Sequence, residues 1–482
     1  MKLFFTHLGS TLRGAVIGQF VPILAMPLIS RLYAPDEYGI FASLLSFAVL
    51  LTALMTLQLE VAVVLPEDDA TASKVARASF QITVTGFLIF AVLILAAQPF
   101  LSQFQGLAHW QGWSMLAPLI GFLMAMLLLG NYISSRLRVY GEIGRGTASL
   151  QIVNCSAAVI LGLLKPTAAS LVMARVIGQG AALTSFKHGI TWLKDQYKQH
   201  GILPVSQIRD VLSRYRKFPL FTLPQNALAM ASREGVTVIL LVFHQPIAAG
   251  FYALVRSVLM IPSSLLSTSV GPVFYREASQ AIDKPEFRLF SFELMLAIAC
   301  IMAPASVYIA NWGPEIFAFV FGLKWMQAGI YALIYMPLSV LFLLTIWCGR
   351  VFEIRNKQDV LFRIQLIFDT ASIGLLIALL ARTDNPVLAV GAYVTAQCVY
   401  LLVQLGFIFN ILHLNAGKYA LLIGAAIGTA AVQYGLHIAA KLPTESTLSH
   451  FVVESLITAG ITAGTVLFFW RLLKRNPVMN LA

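Results

Sequence analysis

The sequence predicts an all-α polytopic membrane protein with about 14 transmembrane helices: two six-helix lobes in a parallel repeat, plus two C-terminal helices. Three observations predict it. The 482 residues are 59% hydrophobic and only 11% charged, with a mean hydropathy of +0.81, whereas a water-soluble chain carries about 25% charged residues. Nearly all of the chain lies in apolar stretches long enough to cross a hydrocarbon core about 30 Å thick. A helix–turn–helix motif also recurs once, at an offset of 211 residues. Backbone groups in lipid must be satisfied internally, which leaves helices or a closed barrel. Barrels alternate in polarity, and runs such as Leu116–Leu129 do not.

The spans fall near 9–31, 38–63, 76–98, 113–134, 145–164, 167–187, 218–243, 249–274, 288–310, 326–349, 359–381, 386–412, 417–438 and 449–471. The first is too long for a signal peptide, contains Pro22 and Pro27, and has no small-x-small cleavage site after it. It reads as the first span. The repeat divides the rest. After span 1 comes Pro35-Asp36-Glu37-Tyr38-Gly39-Ile40-Phe41-Ala42, and after span 7 comes Pro246-Ile247-Ala248-Ala249-Gly250-Phe251-Tyr252-Ala253. Pro, Gly, an apolar residue, an aromatic and Ala keep their spacing. An even number of crossings per unit makes the copies parallel. The expected domains are an N-lobe over 1–187, a basic cytoplasmic linker over 188–217, a C-lobe over 218–412, and spans 13 and 14 with a cytoplasmic tail over 413–482. Each of the last two spans carries a G-x-x-x-G, Gly424–Gly428 and Gly460–Gly464, which suits close packing of the pair or of a partner.

The net charge of +12 orients the chain and does not recruit nucleic acid. With the N-terminus inside, cytoplasmic segments and flanks collect 24 of the 33 Lys and Arg. The outer segments hold only Arg31, Lys165, Lys324, Arg382 and Lys441. The positive-inside rule therefore places both termini in the cytoplasm. In the linker, Ile208, Val211, Leu212 and Tyr215 share one helical face of Pro204–Phe218, the pattern of a helix lying in the headgroup interface.

Ionisable residues inside spans are costly and mark candidate sites. Arg175, Arg233 and Arg256 lie in spans 6, 7 and 8, each roughly 10–15 Å below the outer surface. Arg13 lies near the inner end of span 1 and Arg31 at its outer end. A cavity between the lobes lined by these five would be cationic, and Arg presents a fork that matches phosphate oxygens. Snorkelling to the interface is the alternative, above all for Arg13 and Arg31. Among acids, Asp369 lies deep in span 11, Glu60 and Glu293 lie nearer the cytoplasmic side, and Glu234 follows Arg233. A desolvated carboxyl suits ion coupling; neutralising an arginine is the alternative. Pro22 and Pro27, with Pro219 and Pro224, occupy the first spans of the two lobes and suit bending gates.

Other chemistries lack their residues. No phosphate-binding G-x-x-x-x-G-K-[ST] loop is present. The four cysteines, Cys155, Cys300, Cys348 and Cys398, all fall in spans with no CxxC pair, and read as buried small hydrophobes. No His, Cys and carboxylate cluster has metal spacing, so neither a metal nor a cofactor is expected.

Leu28-Ile29-Ser30-Arg31-Leu32-Tyr33-Ala34-Pro35-Asp36-Glu37-Tyr38-Gly39, followed by Glu60 to Pro66, resembles the opening of bacterial polysaccharide (O-antigen type) flippases. Tyr215–Pro219, Gly250–Arg256 with Pro262, Phe274–Ala278 and Phe321–Trp325 are similar to the same family. The resemblance runs from span 1 to about span 12. It implies membership of the superfamily that also holds multidrug extruders and the flippase for the peptidoglycan lipid precursor: two six-helix lobes around a central cavity. The implied activity is not enzymatic. It is translocation of an undecaprenyl-diphosphate-linked oligosaccharide to the outer leaflet of the bacterial inner membrane, for O-antigen, capsule or exopolysaccharide, alongside a polysaccharide polymerase and other biosynthetic proteins. Arg256, Arg31 and Glu60 match family positions. A cation-coupled drug or metabolite exporter of the same superfamily would want an acidic cavity, and here the deep charges are mainly arginine. A membrane-embedded polymerase or ligase would want a large outer loop, and here the longest loop is the basic linker.

Overall fold

Turn residues and reversals of backbone hand decide where each apolar stretch becomes helix. The computed structural model describes residues 18–101, 114–441 and 447–474, and among these no strand occurs. The first part of the chain forms α1 (Gly18–Leu32), α2 (Pro35–Thr56), α3 (Asp69–Leu101), α4 (Leu116–Arg136), α5 (Tyr140–Leu164) and α6 (Ala168–Leu183). Then come α7 (Lys187–His200), α8 (Val205–Arg214), α9 (Leu223–Val242) and α10 (Pro246–Leu259). The remainder comprises α11 (Ile261–Ser269), α12 (Gly271–Ala281), α13 (Pro285–Phe321), α14 (Ala328–Thr345), α15 (Val351–Ile354), α16 (Gln358–Thr383), α17 (Pro386–Ile411), α18 (Ala416–Lys441) and α19 (Thr447–Lys474). Eleven helical spans are long and apolar enough to cross a membrane, with α10 and α11 counted together. Adding the shorter apolar helices α1 and α6 and the 20-residue α9 gives every predicted span a helix. The protein is an all-α polytopic membrane protein.

Some boundaries differ from expectation for local reasons. Span 2 stops at Thr56 because Leu57 and Gln58 adopt φ of 51° and 58°, and the chain continues as a 3-10 turn over Leu59–Val64. Span 8 breaks at Met260, just before Pro262. Span 9 runs on through Pro304 and Pro314 to give the 37-residue α13.

The chain divides into two compact units, Met1–Ala253 and Leu254–Ala482. In the first, α5 and α6 form the most extensive helix pair, and α2 packs on both α9 and α4. Leu44, Ala48, Leu51, Ile120, Val172 and Leu241 form an apolar cluster at its centre. Buried Tyr33 donates its hydroxyl to the Ala158 carbonyl at 2.8 Å. The linker helix α8 turns its apolar face to the protein. Its apolar stripe packs on the protein: Val211 is buried and Ile208, Leu212 and Tyr215 partly buried against Leu59, Ala62 and Val63 of the 3-10 turn. Each such side chain, once fully buried, is worth about 1.5–3 kcal/mol, so the stripe clamps the linker to the bundle. Buried Glu142 fixes the other end of this segment. It accepts from Ser134 Oγ at 2.9 Å and from the His188 backbone N–H at 2.8 Å, tying α4, α5 and α7 together.

In the second unit, α13 packs against α14, α18 and α19, while α16 pairs with α17. Fully buried Trp347 meets Phe274 edge-on within a cluster that includes Phe287, Phe352 and Ile408. The terminal pair is attached by polar contacts. Buried Glu454 on α19 accepts from Trp312 Nε1 and Asn311 Nδ2 of α13 and meets His437 Nδ1 of α18 at 2.5 Å. The glycines of the two G-x-x-x-G motifs do not mediate this packing. A Cβ on Gly424, Gly428, Gly460 or Gly464 would meet nothing within 4 Å.

Candidate functional site

The repeated motif builds a polar seam in the first unit. α2 comes from the first copy, and α9 and the start of α10 come from the second. The two copies meet through their glycines. A Cβ on Gly39 would overlap the Pro246 carbonyl and lie 2.7 Å from the Gly250 amide nitrogen, and one on Gly250 would overlap the Pro35 carbonyl. Only glycine permits such an approach. Further along the antiparallel pair, Ser43 Oγ lies 2.8 Å from the Thr237 carbonyl. Thr237 Oγ1 donates to Ser46 Oγ at 2.9 Å, and Ser46 Oγ donates to Glu234 Oε2 at 3.0 Å. At the far end Asn226 Nδ2 donates to Gln58 Oε1 at 3.2 Å. Glu234 is thus drawn toward α2, while Arg233, next along α9, is exposed and donates through Nε to the Ala229 carbonyl at 3.2 Å.

The other expected cations are placed as follows. Arg31 is exposed near the end of α1. Arg256 is half-buried on α10. Arg175 lies against α5, within electrostatic reach of Cys155, and its Nε has no hydrogen-bond partner. Arg13 lies outside the described residues.

Among the acids, Asp369 is 4% exposed between α16 and α17. Gln397 Nε2 donates to its Oδ1 at 2.9 Å and Gln365 Nε2 to its Oδ2 at 3.2 Å, while Gln397 also reaches Ser372 Oγ at 2.9 Å. Glu60 lies in the 3-10 turn beyond α2 and not within the span. It is 2% exposed, one carboxyl oxygen has no partner, and burial pushes its pKa up to about 7. Glu293 is half-buried on α13. Pro22 and Pro27 lie within α1. Pro219 falls in a π turn over Phe218–Thr222 and Pro224 in the first turn of α9, where a missing N–H costs little. Among the described residues no group of three His, Cys, Asp or Glu could hold a metal ion.

Sequence reasoning missed Ser43, Ser46 and Thr237, and also the carboxamides around Asp369. The one signal for the first set was the repeat itself, since two motifs that pack on each other carry their neighbours into register. The carboxamides are neutral residues common in membrane helices, and composition does not flag them.

A family model described as polysaccharide biosynthesis protein matches residues 28–329. The fold is similar to that of the lipid II flippase MurJ in an inward closed conformation, with a TM-score of 0.74 and 11% identity, covering 98% of this chain and 100% of the other. It is also similar to an inward-facing multidrug resistance MATE family transporter of the MOP superfamily, with a TM-score of 0.60 and 13% identity, covering 83% and 98%. No curated protein sequence matches. At such identities the structural likeness speaks for the fold alone.

Proposed function

The chain belongs to the polysaccharide biosynthesis protein family, and from that premise we propose that it moves an undecaprenyl-diphosphate-linked oligosaccharide from the inner to the outer leaflet of the bacterial cytoplasmic membrane. One observation supports this reading above others. The family match, over residues 28–329, coincides with a MurJ-like fold over 98% of this chain, and the solved protein of that shape is a lipid II flippase. A diphosphate with a sugar head cannot cross hydrocarbon, because burying its charge without compensation is prohibitive. Two six-helix lobes, 1–187 and 218–412, would alternate access to a cavity whose cations replace that hydration.

In this reading Arg233 and Arg256, with Arg31 near the end of α1 and Arg13 earlier in the sequence, meet the diphosphate or acidic sugars. Asp369 in its carboxamide cradle, together with Glu234, Glu60 and Glu293, supplies candidates for ion coupling. The α2–α9 seam closes one route to the cavity. Both termini and the α7–α8 segment face the cytoplasm, and the products feed a polysaccharide polymerase. In cells lacking the chromosomal copy, Arg233→Ala and Arg256→Ala should each abolish surface polysaccharide while the protein accumulates normally, and Lys should restore only part, because a point charge replaces a planar fork. Normal polysaccharide in the double Ala variant would remove the cationic cavity from this reading.

A further inference from the structure

The second half of the repeat continues further than the Pro–Gly motif, and its divergence is informative. At an offset of 218 residues, Val172, Ala174, Val176 and Gln179 of α6 match Val390, Ala392, Val394 and Gln397 of α17. The partner helices follow the same register, with Gln151 of α5 standing where Asp369 stands on α16. In the second copy the buried carboxamide of Gln397 donates to the Asp369 carboxylate and to Ser372. In the first copy Gln179 is 0% exposed, and neither its Nε2 nor its Oε1 has a hydrogen-bond partner.

One turn earlier on the same face of α6 stands Arg175. It forms no ion pair among the described residues, and its Nε is buried without a partner. Val172 and Val176, beside these two residues on the helix, pack into the apolar cluster of Leu44 and Ile120. The segments 1–17 and 102–113 contain no Asp or Glu, so those parts of the first unit hold no carboxylate to answer the guanidinium. Arg175 is half-buried with its Nε enclosed; an enclosed charge is ordinarily paired, and a buried amide with no partner costs about 1–3 kcal/mol for each group left unmade. Two such deficits adjoin on one helix face, where the other copy has a carboxylate.

We infer that Arg175 and Gln179 hold a small monovalent anion of the chloride class inside the first repeat, supplying the negative charge that Asp369 supplies in the second. The donors are a guanidinium N–H and an amide N–H, both suited to an anion. One fixed positive charge balances one negative charge, whereas a dianion would leave a net charge buried. The two repeats have thereby diverged into sites of opposite sign at equivalent positions. This assignment does not depend on what the protein transports.

The test is thermal unfolding of the purified full-length protein in lipid nanodiscs, titrated with chloride against gluconate at constant ionic strength. The midpoint should rise saturably with chloride by about 2 °C or more, and bromide should substitute for chloride. Gln179→Leu should raise the half-saturating chloride concentration about tenfold. Gln179→Glu, which installs a carboxylate beside Arg175, should give a folded protein whose midpoint no longer responds to chloride. A wild-type midpoint that is the same in both salts would overturn the inference. So would a chloride response that survives undiminished in Gln179→Glu. A protein that moves no lipid-linked sugar but responds to chloride in this way would sink the proposed transport and leave the anion site standing.

Discussion

Placing a methyl group at Gly39 tests the α2–α9 seam directly. In Gly39→Ala the new Cβ would lie 1.9 Å from the Pro246 carbonyl oxygen and 2.7 Å from the Gly250 nitrogen. Both neighbours are backbone, so no side chain can swing aside, and the helices must part by about 1.5 Å to reach ordinary contact. That displacement stretches the 2.8 Å Ser43–Thr237 and 3.0 Å Ser46–Glu234 contacts beyond hydrogen-bond range. Ser43 keeps the Gly39 carbonyl at 2.8 Å, so one lost bond at about 1 kcal/mol, with about 1–3 kcal/mol for overpacking, predicts a loss of about 2–4 kcal/mol. The assay pairs thermal unfolding with a disulfide reporter. Ser43→Cys and Thr237→Cys should cross-link efficiently with Gly39 intact and poorly with Gly39→Ala, while the unfolding midpoint falls by about 10 °C. Equal cross-linking and an unchanged midpoint in the Ala variant would refute the close approach of the two motifs.

Three further outcomes follow from buried acids. Glu60 has a folded pKa raised to about 7 by burial, so its protonated form stabilises the protein at low pH and that contribution is lost as pH rises from about 4.5 through 7. Glu60→Gln should therefore be about 3 kcal/mol more stable than wild type at pH 8 and near parity at pH 4.5; a difference independent of pH would show that the carboxyl is not held protonated. Glu454→Leu strands the donors on Trp312, Asn311 and His437 and should cost about 3–5 kcal/mol, seen as early proteolytic release of α18–α19; protease resistance equal to wild type would deny the carboxylate that role. Asp369→Asn keeps the shape of the Gln397 and Gln365 contacts but removes the charge, so transport should fall at normal abundance, whereas full transport with an unchanged pH response would leave Asp369 a purely structural group.

How much of this was legible in the sequence depended on the kind of signal. Fourteen spans could be read because hydrocarbon thickness sets their length and every residue in them votes. The Pro35–Gly39 and Pro246–Gly250 repeat could be read because proline and glycine are rare enough to be noticed. Its consequence, that the two copies touch, could not, because contact between distant helices leaves no local trace in either. The stop at Thr56 was invisible for the opposite reason: Leu57 and Gln58 turn left-handed in an apolar run whose composition continues unchanged. The amphipathic pattern of α8 was real, but hydropathy does not say whether a stripe meets lipid or protein, and here it meets the 3-10 turn. Charged positions drew attention to Arg175 and Asp369, while the neutral Gln179 and Gln397 beside them passed unnoticed until their partners, or lack of partners, were visible.

Reconstitution decides the central claim. The purified protein is placed in vesicles containing an undecaprenyl-diphosphate oligosaccharide, and the fraction of sugar reached by an impermeant glycan-modifying enzyme is followed in time. The account predicts that the inaccessible half becomes accessible in the presence of the protein and of an ion gradient, and that Arg233→Ala with Arg256→Ala abolishes this. An inaccessible half that stays protected with wild-type protein under both proton and sodium gradients would contradict it.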